Sequence, residues 1–240
     1  MHYSIAGLFL IILNTEQSLW RNNLLQALSN FINEQKINNA TAVGHSWGTM
    51  IAIQLAARRP DVIHRVITVD GSIESDSWAP KTKQERLTQA NNIITNWEEK
   101  LKDAEQWRQF NMVGLPQQDS IDRRYAEGAL LLHGSFMATS RNALLQYWRE
   151  NVLIDLTSDL KKVKVPILDI QCFTGQAQDQ QKETYLKTLQ DIGNPGNVKM
   201  IFFYDTRHFV MFHRPLKLEN RINDFIKGKP VQDFIPSEGR

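Results

Sequence analysis

A five-residue stretch, Gly44-His45-Ser46-Trp47-Gly48, constrains the fold of this chain more than any other feature. An apolar segment over 41–43 precedes it and predicts a strand, whereas the apolar stretch 47–59 predicts a buried helix that stops at Pro60. A turn this tight places its serine in strained backbone geometry, and glycines at 44 and 48 remove side chains that would clash. The pattern therefore predicts a strand, a sharp bend with an exposed serine, and a helix.

The remaining sequence predicts alternating strands and helices on either side of a helical middle. Helical spacing covers 19–34, 180–192 and 216–226, while short apolar runs that predict strands cover 62–69, 165–173 and 198–204; residues 228–240 have the composition of a polar tail. This alternation is typical of an α/β fold with a mostly parallel sheet flanked by helices. We expect residues 1–74 and 152–240 to form that body, and residues 75–151 to form a helical insertion.

Composition narrows the classes of partner. The 240 residues carry 28 Lys and Arg against 26 Asp and Glu, a balance that disfavours nucleic-acid binding. Cys172 is the only cysteine, which excludes an internal disulfide and a multi-cysteine zinc site. The sequence has no metal-ligand spacing, phosphate loop or dinucleotide fingerprint, so we expect a small-molecule substrate with neither metal nor cofactor.

The amino-terminal region contains the longest apolar run, at residues 5–13. Nine residues are too few for a membrane span, which needs about 18. They would suit the core of a signal peptide, but no Lys or Arg precedes them and no Ala-x-Ala site follows. We therefore expect a buried strand and a cytoplasmic protein, with secretion as the alternative.

A serine hydroxyl is a weak nucleophile without a base, and any of the six histidines could in principle supply one. His208 follows the last predicted strand, and the carboxyl ends of parallel strands are where sites of α/β proteins form. His45 lies inside the bend, where its expected role is packing. His208 is therefore the predicted general base.

The third group required is a carboxylate that orients the histidine. Asp179 lies in the loop after the strand at 165–173, and it is the favoured acid. Asp70, which ends the strand at 62–69, is the alternative. Asp169 lies within a strand and is expected to point away from the site. The order serine, acid, histidine along the chain holds with either choice.

Together these motifs resemble those of the α/β-hydrolase superfamily. The segment 44–48 resembles its nucleophile elbow, 55–60 the end of its elbow helix, 165–168 its penultimate strand and 207–209 its histidine loop. The resemblance implies a serine hydrolase with nucleophile Ser46, base His208 and acid Asp179, in which the helical insertion is a cap. The backbone amide of Trp47, at the amino end of the elbow helix, is the predicted oxyanion donor. The expected reaction is cleavage of a small or medium apolar ester or a related acyl substrate.

Two departures from the family pattern keep alternatives open. One extra residue separates Gly175 from Asp179, and only 45 residues precede Ser46, where the family normally has three or four strands and a His-Gly loop. We therefore expect a fold that lacks its first strands. The alternative function is a catalytically impaired remnant that acts as a binding module. A sheet edge exposed in this way would favour homodimer pairing, unless residues 5–13 cover it.

Overall fold

The fold is built around four parallel strands in the order β1-β2-β3-β4. The computed structural model describes residues 20–71, 82–100, 155–174, 178–191 and 196–236, with single positions at 124, 125, 127, 128, 145 and 153. The strands are β1 (Ala40–His45), β2 (Ile63–Val69), β3 (Ile167–Cys172) and β4 (Val198–Phe203). The predicted parallel sheet is confirmed, and all four strands present their carboxyl ends at one edge.

Helices connect and flank these strands. They are α1 (Trp20–Glu34), α2 (Gly48–Arg58), α3 (Lys83–Lys100), α4 (Thr157–Lys162), α5 (Gln178–Asp191), α6 (Val210–His213) and α7 (Pro215–Ile226). In the predicted insertion α3 is helical as expected, but most of residues 75–151 lie outside the described residues, so the cap remains a prediction. Within the described ranges, no helix has both the length and the apolar character to cross a bilayer.

The sheet is buried on both faces, which explains the near-continuous apolar runs of its inner strands. Alternate residues point to opposite sides. Val66 and Ile167 join the cluster that includes Leu25 and Met50 from α1 and α2. Their neighbours along the strands, such as Ile67 and Leu168, belong to a second cluster that includes Val210 and Leu218 from α6 and α7. Packing of these two clusters against the sheet holds the strand ends in fixed positions relative to one another.

The segment after α7 is not the polar tail that its composition predicts. The Phe234 side chain is 6% exposed and packs in the second cluster with Val231. Its backbone continues the sheet, because the Phe234 amide donates to the Phe202 carbonyl at 2.8 Å and the Tyr204 amide donates to the Phe234 carbonyl at 2.9 Å. These bonds fix the chain just beyond β4, at Tyr204, four residues before His208.

β1 lies at the end of the sheet order, and the Val43 side chain on it is 55% exposed. Edges of parallel sheets expose unpaired backbone groups that favour pairing with another strand. Residues 5–13, the predicted cover, lie outside the described residues, and pairing of two copies through β1 remains a prediction.

Candidate active site

The bend after β1 has the geometry that its sequence predicts. Ser46 has a φ of +54°, in the left-handed region that residues other than glycine rarely occupy. Its amide donates to the Val69 carbonyl at 2.8 Å, extending the β1–β2 pairing, and its carbonyl accepts from the Thr49 amide at 3.0 Å, beginning the turn into α2. Strain of this kind persists where the surrounding structure holds it, and it is concentrated at functional sites.

Two glycines allow the backbone to pack closely around Ser46. A Cβ atom at Gly44 would lie 2.1 Å from the Gly48 carbonyl oxygen, and one at Gly71 would lie 2.4 Å from the Ser46 carbonyl oxygen. A Cβ at Gly48 would meet nothing within 4 Å among the described atoms. The close approach predicted at Gly44 is therefore observed, whereas the described residues show no such contact at Gly48.

A histidine–carboxylate pair lies at the same edge of the sheet. The Nδ1 atom of His208 is 2.6 Å from Oδ2 of Asp70, which is a short hydrogen-bonding distance. The other oxygen, Oδ1, accepts from the Cys172 backbone amide at 2.9 Å. With its side chain 14% exposed, Asp70 is thus held by β3 and aimed at the imidazole.

The favoured acid, Asp179, is not the group that contacts His208. It lies exposed in the first turn of α5, and no hydrogen bond or ion pair joins it to His208. We correct the sequence-based prediction on this point, because the pair is made by the alternative, Asp70. The reason is topological: β2 lies beside β1 in the sheet, so a residue that directly ends β2 reaches the elbow without a loop.

His45 connects the elbow to the histidine loop. Its Nε2 lies 2.8 Å from the His208 carbonyl oxygen, and the two rings are 4.6 Å apart between centroids. Burial, together with the neighbouring His208, lowers the pKa of His45 to about 4. No hydrogen bond joins the Ser46 hydroxyl to His208 here; such bonds are often long in ligand-free enzymes and shorten when substrate binds.

Trp47 follows Ser46 at the N-cap of α2 with helical dihedral angles (φ −56°, ψ −27°). Its side chain is buried in the first core cluster, so its backbone has little freedom to move. The amino end of a helix carries partial positive charge. An anion formed on the Ser46 side of the bend would therefore meet a favourable field.

Sequence reasoning missed residues that support the histidine loop. His213 accepts a hydrogen bond at Nδ1 from the Arg207 amide at 3.1 Å. The Tyr125 ring lies 5.9 Å from Phe209 and 6.1 Å from His213 between centroids. The only available signal was the aromatic density of segment 208–213, which by itself does not distinguish loop support from core packing.

A buried polar cluster lies one strand from the histidine–carboxylate pair. Oδ1 of Asp169 accepts from the Thr68 hydroxyl at 2.6 Å and from the Gln171 amide at 2.9 Å, and the same Gln171 nitrogen donates to the Gly71 carbonyl at 3.1 Å. Oδ2 of Asp169 has no hydrogen-bond partner in the described part of the chain. Burial raises the pKa of this carboxyl to about 6. Asp169 is hydrogen-bonded to Thr68 and Gln171, whereas the carboxylate paired with His208 is that of Asp70.

This cluster predicts a pH-dependent contribution to stability. Because the folded-state pKa is raised above the ordinary value, the contribution is largest at low pH and is lost as pH rises through about 6. We expect the free energy of unfolding of the wild type, relative to Asp169→Asn, to fall by about 2 kcal/mol between pH 4 and pH 8. Urea denaturation of both proteins at a series of pH values measures this difference, and parallel pH profiles would contradict it.

The described residues offer no obvious metal or thiol chemistry. No three His, Cys, Asp or Glu side chains among them are grouped as metal ligands would be. Burial and the nearby Asp70 and Asp169 carboxylates raise the pKa of the Cys172 thiol well above its usual range. The thiol therefore stays protonated near neutral pH and is a weak nucleophile.

Comparison with known proteins agrees with this architecture. The profile of a family described as the alpha/beta hydrolase fold matches residues 22–215, which is most of the chain. The chain therefore belongs to the α/β-hydrolase family. No curated protein matches the sequence at a significant level.

Solved structures resemble the fold at low sequence identity. MenH from S. aureus matches with a TM-score of 0.63 and 15% identity, over 89% of this chain and 79% of that one. A putative non-heme bromoperoxidase, BpoC, from Mycobacterium tuberculosis gives 0.59 and 13%, over 87% and 74%. A structure from work on carboxylesterases of Nitrososphaera gargenis gives 0.55 and 15%, over 86% and 71%. Identities this low show a common fold and leave the reaction to be argued from the site.

Proposed function

We propose that this protein is a serine hydrolase that cleaves a small or medium apolar ester, or a related acyl substrate, through an acyl-enzyme on Ser46. One observation carries the proposal: a serine in the left-handed region at the end of β1 lies next to a loop whose His208 is paired with Asp70. Nucleophile, base and orienting acid are the three roles that acyl transfer requires.

In the first half-reaction, the Ser46 hydroxyl oxygen attacks the substrate carbonyl carbon while Nε2 of His208 takes the hydroxyl proton. Asp70 accepts from Nδ1, which keeps Nε2 available as the base and stabilises the imidazolium that forms. The Trp47 amide, at the amino end of α2, is proposed to donate to the oxyanion. Collapse of the intermediate breaks the acyl–oxygen bond, and the proton on His208 passes to the departing alcohol.

In the second half-reaction, His208 removes a proton from water as that water attacks the acyl carbon. The bond between the acyl group and Ser46 breaks, the proton returns to the serine oxygen, and the free acid leaves. His208 must reach solvent for this step, and its side chain is 43% exposed.

The proposed preference for an apolar acyl group rests on the aromatic side chains that lie beside His208. Phe209 lies 5.0 Å from the His208 ring and 5.6 Å from the His45 ring between centroids, and Tyr125 packs on Phe209. A surface of this kind favours hydrocarbon over charged groups. The carboxylesterase structure among the fold relatives is consistent with an ester, although it shares only the fold.

A fluorophosphonate probe tests the nucleophile directly. We expect the wild type to be labelled at residue 46, and Ser46→Ala to be unlabelled, because the probe reacts only with an activated serine oxygen. Hydrolysis of short p-nitrophenyl esters should fall by about 10⁴-fold or more in the variant. Circular dichroism on both proteins confirms that loss of labelling is not loss of folding.

Three outcomes would count against the proposal. A folded wild type that is neither labelled nor active would favour the alternative, a remnant that binds a ligand without turning it over. Labelling at a residue other than Ser46 would move the chemistry elsewhere. Labelling at Ser46 with no turnover of any ester would favour another reaction on this scaffold, such as the one named for the bromoperoxidase relative.

A further inference from the structure

We propose that His45 is a positioning residue: it holds the histidine loop against the nucleophile elbow through a hydrogen bond to the backbone of His208. The inference rests on the proposed function for its effect on catalysis, but the contact itself is structural. It joins positions 163 residues apart in sequence, from one end of the sheet order to the loop after the opposite edge strand.

The hydrogen bond defines which nitrogen of His45 carries the proton. A backbone carbonyl oxygen only accepts, so Nε2 of His45 must be the donor over the 2.8 Å to the His208 carbonyl. A neutral imidazole has one N–H, and this contact fixes it at Nε2. Ser46 therefore lies beside a histidine whose single N–H already donates to the His208 carbonyl.

Neutrality of His45 matters because the two imidazole rings lie only 4.6 Å apart between centroids. In the proposed mechanism His208 becomes an imidazolium, and a second positive charge at that distance would oppose it. Burial lowers the pKa of His45 to about 4, so this ring stays neutral near neutral pH. A lysine or arginine at position 45 would supply a donor but also the opposing charge.

His208 is thus fixed by two different groups. Asp70 holds its ring at Nδ1 over 2.6 Å, and His45 holds its backbone carbonyl over 2.8 Å. The Arg207 amide is fixed in addition by His213. Without the His45 bond, the loop could drift relative to Ser46, and the His208–Asp70 contact would open more often to solvent. Misplacement by about 1 Å costs on the order of 100-fold in rate.

Two substitutions separate the hydrogen bond from the packing. His45→Gln keeps an amide donor near the Nε2 position and removes the ring, whereas His45→Phe keeps a ring and removes the donor. We expect His45→Phe to lose about 10–100-fold in kcat with KM little changed, and His45→Gln to stay within about 5-fold of the wild type. His64→Phe, at an exposed histidine on β2, is the control for histidine loss and should leave both constants unchanged.

A spectroscopic readout tests the contact without any activity. The short His208–Asp70 bond should give a downfield, slowly exchanging Nδ1 proton resonance in the wild type, assigned by its loss in Asp70→Asn. We expect it in His45→Gln and not in His45→Phe, where the loop is released to exchange with solvent. If this pattern appears in a protein that no fluorophosphonate labels, the positioning inference holds and the proposed function fails.

The inference is overturned if His45→Phe keeps both the resonance and the wild-type kcat. It is also overturned if His45→Gln loses as much rate as His45→Phe, because the ring and not the hydrogen bond would then matter. Thermal denaturation of each variant excludes general unfolding as the cause, and a rise in KM with unchanged kcat would assign His45 to substrate binding instead.

Discussion

Asp70→Asn is expected to lower kcat/KM for an ester substrate by about 10⁴-fold, while Asp179→Asn leaves it within about 2-fold. An asparagine at position 70 loses the negative charge that stabilises the imidazolium, and its amide nitrogen favours the wrong tautomer of His208. Asp179 lies exposed in the first turn of α5, where its removal costs at most a few tenths of a kcal/mol of helix stability. Steady-state hydrolysis of p-nitrophenyl esters measures both variants.

The Asp70 substitution is also close to a structural contact, so folding must be checked in parallel. Oδ1 of Asp70 accepts from the Cys172 amide, and asparagine retains an oxygen that can do the same. We therefore expect Asp70→Asn to fold and to keep Ser46 in place. A large rate loss in Asp179→Asn, with full activity in Asp70→Asn, would restore Asp179 as the acid and show that the observed pair is not the working one.

Gly44→Ala is expected to destabilise the protein by about 3 kcal/mol or more and to abolish labelling of Ser46. The new methyl group would lie 2.1 Å from the Gly48 carbonyl oxygen and 2.7 Å from the Thr49 amide nitrogen, both of which are backbone atoms that cannot rotate away. Relief would require α2 to move from β1, and that movement would relax the bend at Ser46. For a chain of this size the loss corresponds to a fall in Tm of roughly 6–12 °C.

Gly48→Ala is the matched control for this effect. It adds the same methyl group two residues beyond Ser46, at the first residue of α2, where no atom of the described residues lies within 4 Å. We expect its Tm to be equal to or slightly above that of the wild type, since alanine is the better helix former by about 0.5–1 kcal/mol. Equal losses of Tm in the two variants would contradict this explanation, because the close approach to backbone atoms is observed only at Gly44.

The strands and helices could be predicted because their patterns are local. Apolar runs such as 165–168 indicate a buried strand, and the apolar spacing in 19–34 indicates one buried face of a helix. The structure places β3 and α1 there. The polar tail predicted at 228–240 was misjudged for the same reason. Val231 and Phe234 are two of its three large apolar residues, and their burial depends on a bridge to β4 that no local pattern reveals.

The loops that form the candidate site could be predicted from the sequence, but the contacts between their side chains could not. Ser46 and His208 follow from the bend and the last strand, because carboxyl ends of parallel strands share one edge. The acid was ambiguous for that same reason, since the ends of β2 and β3 both reach that edge. The backbone turn at Asp70, with a φ of +49°, and the Cys172 amide that holds its carboxylate decide between them, and neither is visible in a sequence.

Asp70, directly after β2, pairs with His208. The connection after β3 therefore does not have to supply a carboxylate for the histidine. Insertions, deletions and substitutions by polar residues in 174–177 would then be tolerated, as long as β3 still pairs with its neighbouring strands. The extra residue between Gly175 and Asp179, which departs from the family pattern, is what relaxed constraint would leave behind. Among diverged homologues, we expect length variation to concentrate there, while the Asp-Gly step that closes β2 stays invariant.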